Sequence, residues 1–444
     1  MITPRILVSF YLTTIFLILV LMLGAFPLAA QESSTKDYTI YLSSRTFTPT
    51  EGLNSLAVQA GENEGQQHLL VQLWAIPTAE ERAALASAGV KLLGYIPSHT
   101  WLASVTGPLD LSAPPYHLIR WAGPLAPEDK IAPALRQQGV GPWAVGSDGR
   151  VQLYIQFFDD VLDSQARPVI TRYGGQILSA GPVSPRYVAW FPKAGVINAL
   201  AAEDNVQWIE SGPSPKSTRD DPSGSSDDGS ITIQNDLARN RTGVDALYGM
   251  NIRGNGVIVA VTDGGPVAGH PDFTGRLTVS SQTTDSIDTD GGGHATHVAG
   301  TVGGDGQLSA GNGGSANQWR GVAPAANLVS YSFQQNVEAG LQEAIQTYNI
   351  DVSQNSWGDT IDDSNCSLYG DYTSSDKMFD EIITGKYGKR IVAAIAIGND
   401  RADNKCGQSQ TPPYPNYRTV GPPSGAKNGI CVGATMSEND AMTD

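Results

Sequence analysis

The chain has 444 residues, enough for two or three domains, since compact domains usually run to roughly 100–200 residues each. Its 28 Lys and Arg against 44 Asp and Glu leave a net charge of -16, which repels phosphate backbones and anionic lipid, so nucleic acid is excluded as a partner. With 49 Gly, 27 Pro and only 16% charged residues, the composition favours a loop-rich extracellular protein over a helical cytosolic one.

At the N-terminus, Arg5 precedes an apolar run from Ile6 to Phe26, and Leu28-Ala29-Ala30-Gln31 follows with the small residues that signal peptidase cuts. Residues 1–30 therefore read as a signal peptide cleaved after Ala30, and the chain as secreted, with no stable membrane association after cleavage. The run is about 20 residues long, so an uncleaved leader would anchor the protein. No second run of that length occurs. Residues 31–67, rich in Ser, Thr, Gly and Gln, read as an extension with one candidate strand at Tyr38 to Leu42.

An internal duplication follows. Leu69 to Trp74, the helical stretch Ala79 to Ala88, Gly89 to Ile96 and Trp101 to Val105 match, in order, Val151 to Phe157, Asp163 to Tyr173, Gly174 to Ala180 and Tyr187 to Phe191. Each copy reads strand, helix, strand, strand. In the second, a short helix at Val196 to Ala202 and a strand at Val206 to Ile209 complete the βαββαβ order of a ferredoxin-like unit; in the first, Leu118 to Trp121 takes the place of the last strand. The copies span 68–125 and 150–212.

The tract Ser211 to Ser230 is dominated by Pro, Gly, Ser and Asp, cannot bury a core, and marks a linker over 213–235. From 236 to 444 short β-branched runs alternate with helical stretches, the pattern of an α/β fold whose parallel sheet is covered by helices on both faces. The runs are Val257 to Val261, Leu328 to Tyr331, Asp351 to Gln354, Ile391 to Ile395 and Ile430 to Gly433; helices are expected at Ala295 to Thr301, Val337 to Tyr348 and Asp376 to Tyr387. Functional groups in such sheets gather at the carboxyl ends of the strands.

There the first run ends in Thr262-Asp263-Gly264-Gly265, and further on Gly291-Gly292-Gly293-His294-Ala295-Thr296-His297-Val298-Ala299-Gly300-Thr301 opens a helix with a histidine. These segments resemble the aspartate and histidine blocks of the subtilisin-like serine proteases, at a family-like separation of 294 minus 263, or 31 residues. His270-Pro271-Asp272-Phe273 between them fits the same family, as do Val352 to Gly358, Val392 to Asn399 and Gly429 to Thr435. The resemblance covers about residues 240 to 444. Two departures stand out: Ala295 where the family has Gly, and Gly264 where it has Thr or Ser.

The resemblance implies a serine endopeptidase acting on proteins or peptides. His294 would be the general base and Asp263 the carboxylate that orients it; Asn399 would serve the oxyanion hole, and Ser356, Trp357 and Gly358 would pair with substrate backbone. The ferredoxin-like repeats resemble the family's prodomains, and imply that the chain's own N-terminal part is an intramolecular inhibitor, removed within Ser211 to Ser230. The family's nucleophile lies in a Gly-Thr-Ser-Met-Ala-like block beyond the strand resembled by Gly429 to Thr435. No such block is present, neither Ser356 nor Ser437 replaces it, and these 444 residues alone are expected to be an inactive fragment.

Cys366 and Cys406 lie in polar loop sequence and are expected to form a disulfide, whereas Cys431 in Ile430-Cys431-Val432 reads as a small buried hydrophobe. No CxxC occurs, and the His294/His297 pair has no Glu between and no third ligand, so no metal is assigned and no cofactor is required. Structural calcium, common in the family, has no definite place among Asp285 to Asp290 or Asp359 to Asp363. His297 and His270 read as structural, His297 facing the core. Two other functions compete with the peptidase: a non-catalytic protein that keeps the protease fold for binding, and a sugar- or surface-binding protein whose repeats are the active part.

Overall fold

A computed structural model describes residues 37–53, 65–218, 235–283, 293–400, 405–407 and 419–433. The leader at 1–30, Asp285 to Asp290 and Ser437 lie outside the described residues.

The first unit runs β1 (Ile40–Tyr41), β2 (Thr46–Phe47), β3 (Gly52–Leu53), β4 (Gln66–Leu73), α1 (Ala79–Ser87), β5 (Val90–Ile96), β6 (Thr100–Thr106) and β7 (Ile119–Pro124). Its sheet has the order β3-β7-β4-β6-β5. A strand shows alternate residues to opposite faces, and β4 is apolar on both. Leu69, Val71 and Leu73 pack with Leu85 of α1, while Leu70 packs with Ile40 and Trp121 under the β1–β2 hairpin. Part of the region read as an extension thus belongs to this unit, since β3 adds a fifth strand and the hairpin covers the far face. Thr78 caps α1 and forms a capping box with Glu81, which fixes where the helix starts. Where the second helix of a ferredoxin-like unit would stand there is only the 3-10 turn Tyr116–Leu118.

A connector bearing α2 (Pro133–Gln138) leads to the second unit: β8 (Val151–Phe157), α3 (Asp163–Arg172), β9 (Gln176–Ala180), β10 (Arg186–Phe191), α4 (Ile197–Ala202) and β11 (Val206–Ser211). Its order, β11-β8-β10-β9, repeats the β7-β4-β6-β5 arrangement of the first. Leu153, Ile155, Phe157, Ala166, Ile170 and Leu200 are fully buried in its core. β12 (Lys216–Thr218) follows, inside the tract read as linker; residues 219–230 of that tract lie outside the described residues.

The third region contains α5 (Asn235–Thr242), α6 (Val244–Gly249), β13 (Ile258–Asp263), β14 (Leu277–Val279), α7 (His294–Gly303), β15 (Asn327–Ser332), α8 (Val337–Gln346), β16 (Val352–Asn355), β17 (Trp357–Asp359), α9 (Ser374–Ile383), β18 (Val392–Ala396) and β19 (Ile430–Val432). Six strands form a parallel sheet in the order β14-β15-β13-β16-β18-β19. Val259 and Val261 of β13 meet α7 on one face, whereas Ala260 joins the cluster under α8 and α9 on the other, so helices cover both faces. The five runs named from sequence all contain strands; β14 was not foreseen.

Two residues correct the expectations. Cys431 is exposed, because it lies on β19 at the sheet's edge, where all three residues are open. His297 is exposed as well: Ala295, Ala299 and Gly303 form the buried stripe of α7, and a residue two positions from both Ala295 and Ala299 points about 160° away from them. Cys366 and Cys406 are joined by a disulfide. Among the described residues no helix is long and apolar enough to cross a membrane.

Candidate active site

β13 carries Asp263 to its carboxyl end, where the side chain is fully buried. Gly293, with φ 114°, turns the chain into α7 in a conformation open to glycine, so His294 starts the helix and faces the same strand end. His294 Nδ1 lies 2.6 Å from Asp263 Oδ1. A carboxylate offers only lone pairs, so Nδ1 carries the proton, and in the neutral ring Nε2 is left as the acceptor. The Gly264 N–H donates to the same Asp263 oxygen at 2.8 Å, which holds the carboxylate without a side chain at position 264. Ala295 is fully buried in the cluster of Val259, Val261 and Leu328, so its methyl occupies core space behind the histidine. Both departures from the family pattern are accommodated.

His270 belongs to the fold: its Nδ1 accepts from the Asp272 N–H at 3.2 Å, capping the turn Pro271–Phe273. Asn399 is exposed in the loop after β18, following Gly398 at φ 110°. Trp357 is fully buried between Phe333 and Phe379, with ring centroids 5.6 and 6.1 Å away. Its side chain therefore serves packing, and only its backbone is free to act at an edge.

That edge is occupied by the chain itself. β12 pairs antiparallel with β17, Lys216 opposite Asp359, Ser217 opposite Gly358 and Thr218 opposite Trp357. The Thr360 N–H also donates to the Pro215 carbonyl at 2.8 Å. The polar composition of this stretch concealed the strand. One signal was available: prolines at 213 and 215 hold the residue before each extended.

The second unit reaches this edge because it is docked on α8 and α9. Arg186 of β10, with a side chain only 4% exposed, is set between Glu338 of α8, 3.6 Å away, and Glu381 of α9, to which it donates a hydrogen bond. Lys386 pairs with Asp159 at 3.2 Å, and Glu210 of β11 accepts from the Ser374 hydroxyl at the start of α9. Burial raises the Glu210 carboxyl to about 7, although Ser374 and Trp208 donate to it. The docked state then holds a proton that a free glutamate, with an ordinary value of 4.5, gives up. Docking is strongest below that value and weakens as pH rises towards 7, by up to about tenfold per pH unit. Glu210→Gln should flatten this dependence in hydrogen exchange of β12 and β17; an unchanged slope would show that Glu210 does not carry it.

Residues 254–444 match the Subtilase family. This part of the chain is a subtilase domain. Residues 41–126 match a family described only as a domain of unknown function, DUF8729, which takes in the first unit from its hairpin onward. Among curated proteins, Serine protease AprX of Bacillus subtilis is 30% identical over 207 residues, covering 44% of this chain and 42% of the relative. Subtilisin-like protease 3 of Trichophyton tonsurans is 28% identical over 192 residues, covering 42% and 40%. The chain therefore spans less than half the length of these relatives. Among solved structures, fervidolysin of Fervidobacterium pennivorans covers 60% of the chain and 42% of its own at 18% identity and a TM-score of 0.38. The epidermin leader peptide processing protease of Staphylococcus aureus, in its S393A form, covers 64% and 70% at 14% identity and 0.43. Both scores are too low to establish the fold, which rests on the sheet and helices of the subtilase domain itself.

Proposed function

We propose that the subtilase domain supplies the base and its orienting acid to a secreted serine endopeptidase, and that the second unit is its intramolecular inhibitor. The observation that carries the first part is the buried Asp263–His294 pair, 2.6 Å apart at the carboxyl end of the sheet. A serine hydroxyl is a poor nucleophile near neutral pH, and an imidazole fixed by a carboxylate on Nδ1 can take its proton through Nε2. No Gly-Thr-Ser triplet occurs in the 444 residues, and no serine among them is assigned the attack. Asn399 is the proposed oxyanion donor.

The pairing of β12 with β17 supports the second part, because an extended segment on that edge holds the place a substrate backbone would take. Removal of the inhibitor is placed after Thr218, within the remainder of the tract to Ser230. Export rests on the N-terminal sequence, and the substrates are proteins or peptides; calcium is left without a site.

The test is casein hydrolysis by a polypeptide extended through a Gly-Thr-Ser block, together with inhibition by an organophosphonate. Asn399→Ala should lower its kcat roughly 10²–10³-fold with KM little changed. An extended, folded polypeptide with no hydrolysis would favour the non-catalytic binding protein instead.

A further inference from the structure

At the seam between the first and second units, His68 of β4 is enclosed by groups of the second unit. Its side chain is 1% exposed, and its ring stacks on Phe158, centroids 4.0 Å apart and planes within 2°. Nδ1 is 2.7 Å from Asp204 Oδ2 and Nε2 is 3.1 Å from Asp160 Oδ1. The His68 backbone N–H also donates to Asp204 Oδ1 at 3.0 Å, and the Gln66 amide to Asp160 Oδ2 at 2.7 Å. Carboxylates accept and do not donate, so both ring nitrogens must carry hydrogen. A neutral ring would turn one lone pair onto a carboxylate oxygen, at Asp160, 9% exposed, or at Asp204, which is 44% exposed.

We propose that His68 is a proton-dependent clasp: as imidazolium it ties the first unit to Asp160 and Asp204 of the second, and on losing its proton it releases them. The inference concerns this seam alone and stands whether or not the second unit inhibits a peptidase.

The surrounding charges are few. Glu203 neighbours Asp204 and is paired with Arg172 at 3.0 Å. Lys130 donates to the Glu203 carbonyl at 2.8 Å and faces Asp204 through its carbonyl at 3.5 Å. Burial works to lower the His68 value, but the hydrogen bonds and charges of Asp160 and Asp204 outweigh it and the ring is raised above its ordinary 6.5. Asp160 is lowered despite its burial, chiefly by His68, and stays ionised. A histidine raised on docking contributes in full below 6.5 and loses that contribution as pH rises through the raised value. Lys130 acts in the opposite sense: burial lowers it to about 8, so docking gains from it as pH rises above that point. The window that reports on His68 therefore lies between 6.5 and about 8.

The test uses the whole chain with ¹³Cε1-labelled histidine, whose six residues are few enough to assign by substitution. The His68 signal should titrate above the ordinary histidine range, and Asp160→Asn with Asp204→Asn should bring it down. Over the same window, exchange protection of β4, corrected for intrinsic rate, should fall by up to about tenfold per pH unit, and His68→Gln should abolish that slope. A His68 titration at or below 6.5, or a slope unchanged in His68→Gln, overturns the clasp. Should His68→Gln fail to fold, the carboxylate variants read by the resonance alone decide the matter.

Discussion

Asp263→Asn, made in a polypeptide extended through a Gly-Thr-Ser block, is expected to lower kcat on casein by about 10⁴-fold, the loss that follows when the acid of a serine-protease triad becomes an amide. The size follows from the proton inventory. Asp263 offers Oδ1 to His294 Nδ1 at 2.6 Å, which keeps the proton on Nδ1 and the lone pair on Nε2. An amide can donate to Nδ1 in the same place, and the ring then carries its proton on Nε2, the atom that has to accept. The substitution is isosteric and fully buried, so the fold should persist, and an unchanged melting temperature would separate a chemical loss from a structural one. His294→Ala should cost at least as much, and the double variant no more than the larger single loss, because the two residues act as one unit. KM should move little. In the 444-residue chain the same variant should abolish a low-field Nδ1 proton resonance of His294. Full activity in Asp263→Asn would remove the pair from the mechanism.

Much of this site was legible before any coordinates. Val257 to Val261 is an apolar β-branched run, as a strand buried on both faces must be, and the glycines after Asp263 announce the turn at its end. The duplication was visible because each copy repeats its strands and first helix in one order. What stayed hidden depends on partners distant in sequence or on very short elements. β14 has three residues, two of them exposed, and no periodicity to read. β12 forms in a polar tract only because β17 offers it an edge. Cys431 looked like a core residue because apolarity does not say whether a strand's face is covered. Trp357 divides the same way: the motif it belongs to speaks for its backbone, while its ring fills the core between Phe333 and Phe379.

Arg186 is the extreme case, since its partner Glu381 is 195 residues away and no local pattern joins them. Arg186→Met should weaken docking of the second unit by about 3–5 kcal/mol, the usual cost of removing one partner from a buried ion pair. The two carboxylates do not share that cost equally. Glu381 keeps Lys377 at 3.8 Å and Lys386 at 3.2 Å, and is 15% exposed. Glu338 is 8% exposed; burial already raises its carboxyl, and the Arg186 charge does most to hold it down. Without the guanidinium it is left with the Tyr387 hydroxyl and should take up a proton. The loss should therefore be greater at alkaline pH than near neutrality, and Glu338→Gln should restore part of it in the Arg186→Met background while weakening docking when made alone. A double-mutant cycle measures that coupling. The signal to follow is hydrogen exchange in β12 and β17, because the segment that occupies the edge is carried there by the unit Arg186 holds. If exchange at that edge is the same in Arg186→Met as in the parent, the unit is held by its apolar contacts and the ion pairs only set its orientation.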